Sequence, residues 1–248
     1  MKGFLKRQIA VCGLMTLFFT LVILTSLSHA AGFSVSPIRV NLTPENNKVM
    51  SLRVHNSSNE LVALQAEVMA WNQKDGQDLY ESKTRDILVT PPIFTVPPGE
   101  SQIIRVGLRR HLDLNQELSY RLFLQELPPP IPNKFQGLQM VMRMSLPVFV
   151  APATGQASSD LSWRIHQVNK GNLLLESHNR GNGHAQVTEL RLKLPDGQEL
   201  VQKNNTYILP GSKKEWSIDF KGGFLSGAIV QLVVKVNGKT FTRELRME

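Results

Sequence analysis

From Phe33 onwards the chain is written in a period of two, and that excludes most architectures. In residues 61–71 (LVALQAEVMAW), Val62, Leu64, Ala66, Val68 and Ala70 alternate with Ala63, Gln65, Glu67 and Met69. This is the spacing of a strand with one buried face, not of a helix. Comparable runs occupy 33–42 (FSVSPIRVNL), 49–55, 87–108 with a bend at Pro97-Pro98-Gly99-Glu100, and 120–127. Turn formers at Asn56-Ser57-Ser58-Asn59 and Lys74-Asp75-Gly76-Gln77 separate them. No amphipathic helix of useful length intervenes, so an all-β sandwich is expected. A second series covers 161–168, 173–178, 187–194, 206–209, 215–220, 229–236 and 240–245, with Asn237-Gly238 as a two-residue hairpin signal. The small, polar stretch 153–159 (ATGQASS) lies between the two series and reads as a linker.

The first thirty residues have a different grammar. Lys2, Lys6 and Arg7 precede an apolar run over 9–27, and Ser28-His29-Ala30 supplies small residues where a signal peptidase reads. The predicted organisation is a signal peptide over 1–30, cleaved after Ala30, then sandwiches over 31–152 and 153–248. An uncleaved membrane anchor is the alternative for the leader. Cys12, the only cysteine, leaves with it. An exported chain without a disulfide must be held together by buried apolar area. Of 28 Lys and Arg residues three leave with the leader, against none of 20 Asp and Glu, so about five net positive charges remain. Without basic clusters interleaved with aromatics, that charge is weak support for nucleic-acid binding.

Residues 138–150 (LQMVMRMSLPVFV) carry an unusual strip. Leu138, Met140, Met142, Met144 and Leu146 share one face of a strand, and Gln139, Val141, Arg143, Ser145 and Pro147 the other. Met specifies a packed core poorly but adapts to partners of varied shape. A strand proline is normally confined to an edge or a bulge. The strip is therefore either a docking edge or an ordinary core strand ending at a proline.

Three blocks in order, TPPIFTVPPGESQIIRV (90–106), the strand ending in LQELPPP (124–130) and LQMVMRMSLPVFVAP (138–152), resemble the first domain of the PapD-like periplasmic chaperones of the chaperone–usher pathway. The second half resembles that family more weakly, mainly through 173–190 (LLLESHNRGNGHAQVTEL). The resemblance implies two immunoglobulin-like β-sandwich domains in an L or boomerang arrangement, located in the periplasm. It implies an ATP-independent chaperone that binds pilus or fibre subunits one to one by donor-strand complementation and delivers them to an outer-membrane usher. Leu138, Met140 and Met142 would be the principal donors, with Met144 and Leu146 extending the strip. Self-association of the free form, covering the edge, stays open.

The family also anchors the subunit's C-terminal carboxylate with two basic residues in the interdomain cleft. Arg39, in SPIRVNL, stands at the place of the first. The second is usually a lysine on the donor strand, where this chain has Pro147. Arg105 is the first substitute to consider, then Arg121 and Arg143. This departure and the VSPIRVNL pattern resemble the archaic, Csu-like branch more than the classical pilus branch.

Other classes find less support. His55, His111, His166, His178 and His184 have no Ser, Cys or carboxylate beside them in a nucleophile motif, so no enzyme is expected. His178 and His184 flank a glycine-rich turn that would bring them together at a metal, but loop histidines of this kind are usually surface residues. No metal or cofactor is predicted. The remaining alternative is an exported sandwich that binds or adheres without chaperone activity, although three Trp and three Tyr without a cluster are few for such a site.

Overall fold

The computed structural model describes residues 32–43, 48–81, 84–109, 115–128, 140–220, 222–223 and 227–248. Among them every regular element is a strand. The leader and Leu138 lie outside the described residues. The first half contains β1 (Phe33–Ser36), β2 (Val40–Leu42), β3 (Val49–Asn56), β4 (Val62–Lys74), β5 (Gln77–Glu81), β6 (Ile87–Thr90), β7 (Ile93–Val96), β8 (Ser101–Leu108), β9 (Leu118–Leu127) and β10 (Arg143–Val150). One sheet runs β1-β3-β8-β6 and the other β2-β10-β9-β4-β5, with β7 also paired to β4.

Two runs expected as continuous strands are divided between the sheets. Residues 33–42 form β1, antiparallel to β3, and β2, parallel to β10 in the opposite sheet. Residues 87–96 form β6, beside β8, and β7, beside β4. Each break falls at proline, Pro37 in the first case and Pro91-Pro92 in the second. Proline offers no N–H to a ladder, so pairing lapses there and the chain crosses between sheets. The alternation in β4 is kept, with Val62, Leu64 and Val68 buried between the sheets. Asp75 and Gly76 both take positive φ, 50° and 72°, in the two-residue turn joining β4 to β5.

The second half contains β11 (Leu161–Asn169), β12 (Asn172–Asn179), β13 (Ala185–Lys193), β14 (Glu199–Ile208), β15 (Lys213–Asp219), β16 (Ile229–Val236) and β17 (Lys239–Arg246). Its sheets are β11-β12-β15 and β14-β13-β16-β17, enclosing a separate core. Each fully buried aliphatic side chain in either core contributes about 1.5–3 kcal/mol. The linker's end is pinned to this second sandwich: Gly183 N–H donates to Ser158 O at 2.9 Å and Ser158 N–H to Asn182 Oδ1 at 2.9 Å.

A third apolar cluster joins the halves, with Trp71 and Phe149 from the first and Tyr207 and Leu209 from the second. Gln73 fastens it from β4: its Nε2 donates to Tyr207 O and its Oε1 accepts Leu209 N–H, both at 2.9 Å. Lys214 Nζ donates to Gly76 O at the tip of the β4–β5 hairpin. The two sandwiches therefore meet through a small core bordered by directional polar contacts.

Candidate functional site

The site begins with an incomplete ladder. β10 pairs along its whole length with β9, from Arg143↔Gln125 to Val150↔Leu118. On its other side β2 covers only Val148, Phe149 and Val150. Arg143 to Pro147 therefore has no strand partner on that side among the described residues. Pro147 is the last residue of this open stretch, where a missing N–H costs the sheet least. Before β10 proper, Met142 continues the contact with β9, accepting Glu126 N–H at 2.9 Å.

The methionine strip passes from solvent into the core. Met140 is 81% exposed and Met142 38%, while Met144 packs partly against the first core and Leu146 is 1% exposed within it. Met140 and Met142 are thus free to meet another molecule. Leu146 fills the chain's own sandwich and fixes the inner end of the strip, which sets it apart from the exposed members.

The four arginines fall into different places. Arg39 lies in the bend between β1 and β2, half-buried, and its Nη1 donates to Gln186 Oε1 on β13 at 3.4 Å. Arg121 lies on β9 directly opposite Pro147. Its guanidinium carbon is 3.8 Å from the Trp71 ring centroid and 5.5 Å from that of Tyr207. Both arginines line one cavity of about 680 Å³, together with Met144, Pro147 and Gln186, beside the open stretch of β10. Neither pairs with a carboxylate among the described residues, and the buried Nε of Arg121 has no hydrogen-bond partner. Arg105 is not brought to this cavity. It is exposed on β8 in the opposite sheet, between Ser51 and Thr90. Arg143 is exposed at the outer end of the open stretch, 4.2 Å over the Phe123 ring.

The charge of Arg121 is felt nearby. Burial, and next the Asp78 carboxylate, push the Tyr80 phenol up, and Arg121 partly offsets them. An unneutralised guanidinium pair in a half-enclosed cleft is suited to an anion, since hydrogen bonds to a charged group contribute about 1.5–3 kcal/mol each. Arginine's planar fork matches a carboxylate in particular.

Sequence reasoning missed the residues around this pair. His184 is not a surface loop histidine: its ring stacks on Phe149 at 3.5 Å, and its Nδ1 lies 2.7 Å from Glu117 Oε1. Trp71 is 1% exposed although it lies off the alternating core face of β4. A large aromatic on the wrong face of a strand was the visible signal that this face also meets something. Among the described residues no group of three or more His, Cys, Asp or Glu is placed to hold a metal ion.

Two β-sandwiches, with one edge of β10 left without a strand partner over five of its eight residues and a cationic cleft at the inner end of that edge, are an immunoglobulin-like two-domain architecture. The chain belongs to the pili and flagellar-assembly chaperones, whose PapD N-terminal domain model matches residues 32–156. The fimbrial chaperone YhcA of Escherichia coli K12 is 26% identical over 193 residues, covering 77% of this chain and 81% of that relative. The fold is similar to a chain in the crystal structure of the CsuC–CsuE chaperone–tip adhesion subunit pre-assembly complex of archaic Csu pili from Acinetobacter baumannii. There the TM-score is 0.65 at 22% identity, covering 88% of this chain and all of that one. It is similar also to a chain in the complex of the Salmonella enterica SafA pilin with the SafB chaperone, with a TM-score of 0.60 at 16% identity, over 89% of this chain and 99% of that one.

Proposed function

We propose that this protein is a periplasmic chaperone that lends β10 and the residues before it to a pilus or fibre subunit, without nucleotide, and delivers the subunit to an outer-membrane usher. The observation that carries the reading is the juxtaposition on β10: an open main-chain edge over Arg143–Pro147, exposed Met140 and Met142 leading into it, and Arg39 with Arg121 at its inner end. The edge supplies main-chain pairing to a subunit lacking a strand. The methionines, with Leu138, supply side chains for its core. Deleting a large core side chain typically costs about 2–5 kcal/mol, so a few inserted together hold a subunit that is unstable alone, by mass action.

In this reading Arg39 and Arg121 are the carboxylate anchor. Arg121 reaches the cleft from the strand beside Pro147, so the positive charge usually carried on the donor strand comes from its neighbour. Co-expression in a periplasm with the subunit encoded beside it, followed by purification of the tagged chaperone, tests the function. A one-to-one complex that Met140→Arg abolishes is expected, because the variant places a charge inside the subunit core. Capture that survives in Met140→Arg overturns strand donation.

A further inference from the structure

The two arginines come from the first sandwich, yet each is also contacted from the second, and from one place. Arg39 Nη1 donates to the side chain of Gln186 on β13. Arg121 lies 5.5 Å from the Tyr207 ring on β14 and 3.8 Å from Trp71. Gln186 and Tyr207 are directly opposite one another in the β13–β14 ladder. We propose that this single Gln186–Tyr207 rung is the positioning element of the anion site, so that the site exists in working geometry only when the second sandwich is docked on the first. The proposal rests on the reading of Arg39 and Arg121 as the carboxylate anchor.

The rung is itself well fixed. Gln186 Nε2 donates to Asn205 Oδ1 at 2.6 Å and Gln186 N–H to Asn237 Oδ1 at 2.8 Å, which leaves Oε1 turned towards Arg39. Tyr207 is held by Gln73 through its carbonyl and packs edge-on against Trp71 at 5.6 Å. A guanidinium over an aromatic face keeps its charge and its in-plane N–H groups, so stacking holds Arg121 without consuming the donors an anion needs. Gln186 does the equivalent for Arg39, because a neutral acceptor orients the guanidinium where a carboxylate would neutralise it. A flexible arginine loses less rotamer freedom on binding when it is already held, and that is how a positioning residue raises affinity without touching the ligand.

The test compares a short peptide of alternating valine and threonine ending in tyrosine, as free acid and as C-terminal amide, for binding to the full chain. The ratio of the two Kd values reads the anchor, and the amide Kd reads strand pairing alone. In the unmodified chain the acid should bind about tenfold tighter, the factor that about 1.4 kcal/mol supplies. Gln186→Leu, which removes the acceptor without adding a charge, and Tyr207→Leu, which removes the ring but keeps an apolar contact, should bring the ratio near one with the amide Kd unchanged. Tyr207→Phe should restore the full ratio. If either Gln186→Leu or Tyr207→Leu keeps the tenfold preference, the rung does not position the arginines and the proposal is wrong while the anchor stands. If the unmodified chain shows no preference for the acid, the anchor reading fails and the positioning role with it.

Discussion

Two buried asparagines do the same work in the two sandwiches. Asn56 Nδ2 donates to Glu60 O at 2.7 Å and Val96 O at 2.9 Å, while its Oδ1 accepts Ser58 N–H and Oγ–H. Asn179 Nδ2 donates to Gly183 O at 2.8 Å and Ile208 O at 2.9 Å, and its Oδ1 accepts from Asp160 and Gly181 N–H. Each is fully buried and ties a turn to a neighbouring strand, using donors and acceptors no apolar residue has. Asn56→Leu and Asn179→Leu should each destabilise by about 2–4 kcal/mol, since buried groups left unpaired cost about 1–3 kcal/mol apiece; thermal unfolding would measure it. The cleft arginines should behave in the opposite way. Arg39 makes one long hydrogen bond and Arg121 a stacking contact, with no carboxylate partner to either among the described residues. Arg39→Ala and Arg121→Ala should therefore shift stability by no more than about 1–2 kcal/mol while removing subunit capture. Co-purification alongside an unfolding curve separates the two effects, and normal capture by a folded Arg121→Ala chain would return the second anchor to another residue.

Within β10 and the residues that lead into it, position along the strand decides what a substitution does. Leu146 is enclosed by the first core, and Leu146→Ala should cost about 2–5 kcal/mol of stability. Met140 is 81% exposed, so Met140→Ala should leave the unfolding midpoint unchanged and weaken capture. A shared midpoint loss in both variants would mean that the strip is packed throughout. The turn after β12 depends on close approach rather than on side-chain chemistry. A Cβ at Gly183 would stand 2.8 Å from Ala157 Cβ and 2.8 Å from Ser158 N, against the pinned end of the linker. Gly183→Ala should push that segment away and break the hydrogen bonds that the residue 183 N–H donates to Ser158 O and Ser158 N–H donates to Asn182 Oδ1, seen as faster amide exchange at residues 183 and 158.

At the scale of the molecule, the apolar contact between sandwiches is a cluster of four side chains, and Trp71 in it touches Phe149, Tyr207 and Arg121. Trp71→Ala should leave both sandwiches folded, because their cores are separate clusters, and widen the distribution of interdomain distances measured between spin labels. An unchanged distribution would place the rigidity in the polar contacts of Gln73, Lys214 and the Glu117–His184 pair instead. The sequence by itself determined the all-β character, most of the strands, the two-residue turns at Asp75-Gly76 and Asn237-Gly238 and the family, because alternation and turn chemistry are local; it left the strip at 138–146 open between core and docking edge, and only the tertiary structure exposed Met140 and Met142. The sequence did not determine where proline would transfer the chain between sheets, nor which arginine joins Arg39. Arg105 and Arg121 each alternate with apolar neighbours on a strand, and a period of two says which residues share a face but not which sheet that face belongs to. Only the pairing of β9 with β10, and the docking of the second sandwich on that sheet, put Arg121 in the cleft and left Arg105 in solvent.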